Sequence, residues 1–275
     1  MLKQRLLTAA ILMPLIILAI LLLPSMGFLV LLLIAAALAG WEWLSMTGIV
    51  SRILCTAGIV SVLLLALLSL PLVSSQNMLL FLLAYWLMIS LLVMVFAHRS
   101  LPVYLHHILQ NRFISFLLAV ITITGFIYSA LWLHGLADIG PQMVLYLLVV
   151  VWLMDIGGYF FGKRFGKYKL ATAISPNKTW EGLAGGLLLV SGAFVISIAM
   201  GLPAELATLN WLAVTILAAL ASVIGDLFES QIKRSYHIKD SGQLLPGHGG
   251  MLDRIDSLLA ASPVFAVVLY LAGVR

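Results

Sequence analysis

Residues 142–162 read QMVLYLLVVVWLMDIGGYFFG, a run with one acid, Asp155, and no base. A helix needs about 20 predominantly apolar residues to cross the hydrocarbon core of a bilayer. Working outward from this run, comparable segments lie at 5–23, 28–46, 54–73, 78–96, 113–134, 182–200, 211–229 and 257–273. The breaks between them carry turn residues: Pro24 and Gly27, Pro71 followed by Ser74-Ser75-Gln76-Asn77, Gly140-Pro141, and Gly201 with Pro203. Composition agrees, with 63% hydrophobic and 9% charged residues, where a soluble domain carries about 25% charged residues. The expectation is an all-α fold, a polytopic integral membrane helical bundle of about nine transmembrane helices.

Charge placement tests that count. Starting the N-terminus in the cytoplasm and alternating nine helices puts 14 of the 15 basic residues on the cytoplasmic side, leaving only Arg275 outside. Lys3 and Arg5 ahead of Leu6–Leu23 resemble the start of a signal peptide, but no small-residue cleavage site follows at Pro24-Ser25-Met26-Gly27. The segment is therefore expected to be a retained first helix. The single cysteine, Cys55, forms no internal disulfide and reads as a small apolar residue. The net charge of +5 is explained by topology and by anionic lipid head groups. No extramembrane module is available for nucleic acid. A single membrane domain over 1–275 is expected, without internal repeats.

Ten acidic residues are few enough to weigh singly. Asp138 and Glu205 fall in short external loops. A carboxylate deep in a span costs about 2.5–3.5 kcal/mol or more, so it usually has a partner or a task. Asp155 lies about two turns from the cytoplasmic end of its span. Glu42, between Trp41 and Trp43, reads equally well as functional or as a carboxylate at an aromatic belt. Asp226 and Glu229 share a helix face by their spacing, and Asp253 and Asp256 repeat it. If the intervening loop folds back, four carboxylates converge, a hard-oxygen set that suits Mg²⁺ with substrate phosphates. The alternative is that these acids pair with Lys233, Arg234, Lys239 and Arg254.

Between the acid pairs runs Lys239-Asp240-Ser241-Gly242-Gln243-Leu244-Leu245-Pro246-Gly247-His248-Gly249-Gly250. Its glycines allow backbone amides to approach an anion, its lysine can neutralise phosphate, and His248 can donate a hydrogen bond. A second charged segment, Ser175-Pro176-Asn177-Lys178-Thr179-Trp180-Glu181-Gly182, leads into the seventh span. Ser175, Lys178 and Thr179 there suit an anion at a helix N-terminus, or else form an ordinary N-cap with Glu181 in the first turn. The residues together point to Mg²⁺-assisted phosphoryl or nucleotidyl transfer on a membrane-embedded lipid phosphate.

The segment Ser230-x-Ile232-Lys233-Arg234-x₄-Lys239-Asp240-x-Gly242-x₂-Leu245-Pro246-x-His248-Gly249-Gly250-Met251-x-Asp253-Arg254-Ile255-Asp256 resembles the signature of phosphatidate cytidylyltransferases, also called CDP-diacylglycerol synthases. The 175–182 segment, Trp152-x-x-Asp155 with Tyr159, and Gly225-Asp226-Leu227-x-Glu229-Ser230 are similar to further family motifs. The resemblance is strong over about residues 150–260 and rests elsewhere on hydropathy and length. It implies transfer of the cytidylyl group of CTP to phosphatidate by a homodimer. The span-only architecture suggests a bacterial inner membrane, and the charge placement puts the charged loops, and with them the site, on the cytoplasmic side. The resemblance also implies metal ligation by Asp226 and Asp253, then Asp256 and Glu229, with Mg²⁺ and a second cation such as K⁺. Catalytic roles would fall to Asp226, Asp253, Asp256, Lys239 and His248. Substrate would be held by Asp155, Ser175, Asn177, Lys178, Thr179, Lys233, Arg234, Gly249, Gly250 and Arg254. Residues 1–140 would then be scaffold, with the lipid path and dimer contacts, and 141–275 the catalytic helices and loops. Phosphatidate would enter sideways from the cytoplasmic leaflet. Two alternatives stay open: a transferase of the same fold using another lipid phosphate, and a cation or lipid transporter. Transporters usually place such acids near the midplane and carry repeats.

Overall fold

The computed structural model describes residues 2–48, 52–203, 206–242 and 249–274, with backbone alone at 2–9 and 52. Glu205, His248 and Arg275 lie outside the described residues. The helices are α1 (Leu2–Leu22), α2 (Ser25–Met46), α3 (Arg52–Leu72), α4 (Ser75–Phe96), α5 (Val103–Gln110), α6 (Arg112–His134), α7 (Gly140–Phe165), α8 (Trp180–Ala199), α9 (Thr208–Ser235) and α10 (Leu252–Leu271). Strands β1 (Lys169–Ala171) and β2 (Ser175–Thr179) pair antiparallel. Eight helices are long and apolar enough to cross a membrane, all but α1 and α5. Helix α1 has 21 residues, of which Ala10–Leu22 form a shorter apolar stretch. The chain is a polytopic helical membrane protein.

Elements stand close to where the apolar segments place them, with a few differences. The expected loop at 163–181 holds the β1–β2 hairpin, strands too short to register as periodicity. Helix α5 occupies a connection in which no helix is expected. Helix α9 continues to Ser235, six residues past the apolar segment that ends at 229, so Lys233 and Arg234 are helical. Pro71, which reads as a break, lies in the last turn of α3.

The chain divides into two compact units that interleave in sequence. The first comprises residues 1–74, 103–145 and 232–256; the second comprises 75–102, 146–231 and 257–275. In the first unit α2 packs on α3 and α6 around Trp43, Leu44, Ile123 and Ile127, all nearly inaccessible. The Trp43 indole cannot be buried without an acceptor, and it donates to Ser115 Oγ at 3.1 Å. At one end of α6, His134 stacks on Phe28 and its Nε2 lies 3.1 Å from Ile20 O. Asn111 caps the other end by accepting from the amides of Phe113 and Ile114. Helix α5 is tied to the end of α9, where Gln110 Nε2 donates to Ser235 O at 2.8 Å and Tyr236 OH to Leu109 O at 2.9 Å. Burial holds the Tyr236 hydroxyl above the ordinary phenol range, which keeps it a donor.

The second unit is built on Tyr146, Trp211 and Phe265, whose rings pack together. Two buried hydrogen bonds accompany them: Trp211 Nε1 donates to Ser197 Oγ at 2.8 Å, and the Tyr146 and Thr215 hydroxyls lie 2.9 Å apart. Helices α7 and α8 approach closely through glycine. A Cβ added at Gly157 would stand 2.6 Å from Gly186 Cα, whereas one at Gly158 would meet nothing within 4 Å. Small residues permit such contact between membrane helices, where packing replaces the hydrophobic effect as the driving force.

Gly157→Ala is expected to destabilise the protein by about 1–3 kcal/mol through overpacking. Gly158→Ala one residue away should be neutral or slightly stabilising, since alanine favours helix. Unfolding midpoints of the two variants in detergent check the contrast.

Candidate active site

The hairpin places Lys178. Trp180 N donates to Tyr168 O at 3.0 Å, and both Glu181 carboxylate oxygens accept from Tyr168 N at 3.2 and 3.3 Å. These bonds close the 168–181 segment at its base. Thr179 is the N-cap of α8, its Oγ1 accepting from Gly182 N at 3.1 Å, which satisfies one of the first amides of the helix. The ordinary N-cap reading is therefore realised at Thr179. Gly162, Gly166 and Gly182 surround that side chain closely. Ser175 is half-buried and Asn177 exposed.

Lys178 Nζ reaches Asp226 Oδ2 at 2.6 Å, with the two side chains about a quarter exposed. Asp226 sits on α9, where Ser230 Oγ donates to its Oδ1 at 3.2 Å. Glu229, on the same helix, is 1% exposed. Asp155 and Tyr159 lie on the exposed side of α7, and Lys163 Nζ stands 3.4 Å from the Tyr159 hydroxyl.

The first unit holds a second lysine–carboxylate pair. Lys233 Nζ donates to Asp253 Oδ1 at 2.8 Å, and these side chains are 11% and 10% exposed. Asp253 occupies the first turn of α10 and also accepts from Ser241 N at 3.2 Å and Gly250 N at 2.9 Å. Asp256 is half-buried one turn on. Lys239, Arg234 and Arg254 are exposed, and Arg234 Nη1 donates to Ile238 O at 3.3 Å.

Glu42 belongs to this group, although its sequence position leaves its role open. It is 6% exposed on α2. Its Oε1 accepts from Met251 N at 2.9 Å; its Oε2 accepts from Leu252 N at 2.8 Å and Ser241 Oγ at 3.0 Å. The anions lying against the signature glycines are thus side chains of the chain itself. A Cβ at Gly242 would come within 2.6 Å of Glu42 Oε1, and one at Gly249 within 2.6 Å of Asp253 Oδ2. Only Gly249 of the two needs the left-handed region, at φ +81°. Ser241 is a second residue that pattern reading passed over, since a serine in a polar loop carries no signal until its partners are placed.

The ion-pair alternative for the acids is met in part: Asp253 pairs with Lys233, and Asp226 pairs with Lys178 of the hairpin. Among the described residues, no three or more His, Cys, Asp or Glu side chains gather into a group that could hold a metal ion. Mg²⁺ needs only one or two carboxylates where substrate phosphates complete its shell. The donor chemistry fits on that basis, because Asp226 and Asp253 each offer hard carboxylate oxygens, paired here with a lysine ammonium group.

The sequence profile of the cytidylyltransferase family matches residues 3–272. A phosphatidate cytidylyltransferase of Pseudomonas aeruginosa is 37% identical over 275 residues, covering 99% of this chain and 98% of its own. Another, from Haemophilus influenzae, is 41% identical over 165 residues, 57% of each chain. A third, from Staphylococcus saprophyticus, is 38% identical over 165 residues, 58% of this chain and 62% of its own.

The two pairs should differ in weight. Lys233→Met leaves the buried Asp253 charge unpaired and is expected to cost about 3–5 kcal/mol. Lys178→Met leaves a carboxylate with solvent access, and its cost should stay near 1 kcal/mol or below. Unfolding titrations with a denaturing detergent measure the difference.

Proposed function

This chain belongs to the cytidylyltransferase family and is an enzyme of that kind, and on that premise we propose that it transfers the cytidylyl group of CTP to phosphatidate. The products are CDP-diacylglycerol and pyrophosphate, for phospholipid synthesis. The observation that carries the reading is the pairing of lysines and carboxylates drawn from the family motifs, Lys178 of the 175–182 segment with Asp226 and Lys233 with Asp253. The more exposed pair, Lys178 with Asp226, holds separable cation and anion sites, which a nucleotide phosphate and a divalent ion can take up in exchange. The name of the full-length Pseudomonas relative supports the choice of lipid.

In the reaction a phosphate oxygen of phosphatidate attacks the α-phosphorus of CTP. A new P–O bond forms, the α–β bridging P–O bond breaks, and pyrophosphate leaves with the bond electrons. The protein makes no covalent intermediate, so positioning and charge neutralisation supply the acceleration. Lys178, in the more exposed pair, turns from Asp226 to phosphate oxygens, while Lys233 beside Asp253 and the exposed Lys239, Arg234 and Arg254 add positive charge for triphosphate and lipid head group. Ser175, Asn177, Thr179, Asp155, Gly249 and Gly250 are assigned to substrate, and Asp226, Asp253, Asp256, Lys239 and His248 to the catalytic set. By resemblance, Asp226 and Asp253, then Asp256 and Glu229, are the candidate ligands for Mg²⁺, with a second cation such as K⁺. When bound, Mg²⁺ would supply positive charge against that developing on the leaving pyrophosphate.

The setting is part of the same proposal. The distribution of basic residues supports a cytoplasmic N-terminus and a site on the cytoplasmic face, and the bacterial relatives support an inner membrane. The sideways lipid entry and the homodimer rest on resemblance.

Purified protein given CTP, phosphatidate and Mg²⁺ should release pyrophosphate only when all three are present. Asp253→Asn should cut the rate by at least 100-fold while remaining folded. Release with a different lipid phosphate and none with phosphatidate would transfer the reading to that lipid. No release with any nucleotide and lipid phosphate would overturn it.

A further inference from the structure

Helix α10 begins with a problem that its own neighbourhood does not solve. The first amides of a helix have no partner within it, and a side chain just ahead of the first turn usually accepts from them. Here two of the amides at the start of α10, those of Met251 and Leu252, donate to Glu42, which lies on α2 some 200 residues earlier. The preceding amide, Gly250 N, donates to Asp253. All three successive N–H groups are thereby used by carboxylates of the chain. A carboxylate at this end of a helix is also favoured by the helix dipole.

The other end of the signature loop is held by the same two acids. Ser241 gives its backbone N–H to Asp253 and its hydroxyl to Glu42. Glu42 and Asp253 therefore clamp residue 241 and residues 250–252 together, and Lys233 is joined to the clamp through Asp253. Gly242 and Gly250 face the Glu42 carboxylate so closely that any Cβ would overlap it. Neither lies in the left-handed region, so their lack of a side chain makes room for Glu42 and does not serve a turn.

We propose that Glu42 is a positioning residue for the cytidylyl transfer, setting the two ends of the signature loop and, through them, the carboxylate of Asp253. The proposal rests on the function proposed above but concerns a contact that can be read without it. Glu42 touches no substrate; it acts on where Asp253 and Lys233 stand.

The test uses the full-length protein in detergent and three variants, with steady-state kinetics and amide hydrogen exchange over residues 241–252. Glu42→Ala should accelerate exchange at Met251 and Leu252 and lower kcat at least tenfold, with KM for CTP changed by less than threefold. Glu42→Gln keeps an oxygen able to accept two of the three donors and should recover part of kcat. Gly242→Ala displaces the carboxylate without removing it, because the three atoms nearest its Cβ all belong to the Glu42 side chain. It should lower kcat in the wild-type background and cost nothing further when added to Glu42→Ala. Faster exchange with kcat within twofold of wild type would overturn the positioning role. So would a Gly242→Ala loss that adds in full to that of Glu42→Ala, or a kcat loss that only tracks the folded fraction in all variants. An inactive wild type would instead count against the assigned reaction, while the exchange data would still report on the contact.

Discussion

A carboxylate taken out of water must be given as many donors as it has lost, or its burial costs several kcal/mol. In this chain that requirement organises the chemistry-bearing segments. Glu42 is buried against two amides and a hydroxyl, and Asp253 against two amides and an ammonium group. Each donor so engaged is a backbone or side-chain position that has been fixed. The loop ends, the first turn of α10 and the end of α9 are located relative to one another, within the first unit, by these bonds. Apolar packing around Trp43 and Ile127 sets where α2 lies; the carboxylate it carries then sets the loop.

The two lysine–carboxylate pairs divide along the two compact units. Lys178 and Asp226 belong to the second, held by the hairpin on one side and by α9 on the other. Lys233 and Asp253 belong to the first and are more deeply buried. Different burial gives different consequences. The shallower pair can exchange partners at small cost, which suits a phosphate-binding lysine. The deeper pair contributes to holding the start of α10.

Much of this was legible from residue order. The apolar segments marked the long helices because bilayer thickness imposes a length on them. The clustering of acids and bases between 225 and 256, with the 175–182 segment, marked the chemistry. Other features escaped for identifiable reasons. Strands of three and five residues fall below any readable period. Helix α5 has eight residues, too few for its pattern to stand out. The end of α9 was placed short because hydropathy falls at Ser230, Lys233 and Arg234 while the backbone remains helical. Polarity reports where a helix leaves an apolar environment and not where its hydrogen bonds stop.

Sequence alone determined that the chain is a helical membrane protein, that nine segments recur at about spanning length, and where its charged residues concentrate. These are properties of local composition, and the bilayer reads composition segment by segment. Only the tertiary structure decided that Glu42 is a ligand of backbone amides and not a belt residue. It also decided that Lys178 meets Asp226, and that Gly242 and Gly250 yield space to a carboxylate. Each of those facts depends on groups 48 to 210 residues apart in the chain, brought together by packing, and hydrogen-bond complementarity between such distant residues leaves no periodic trace in the sequence.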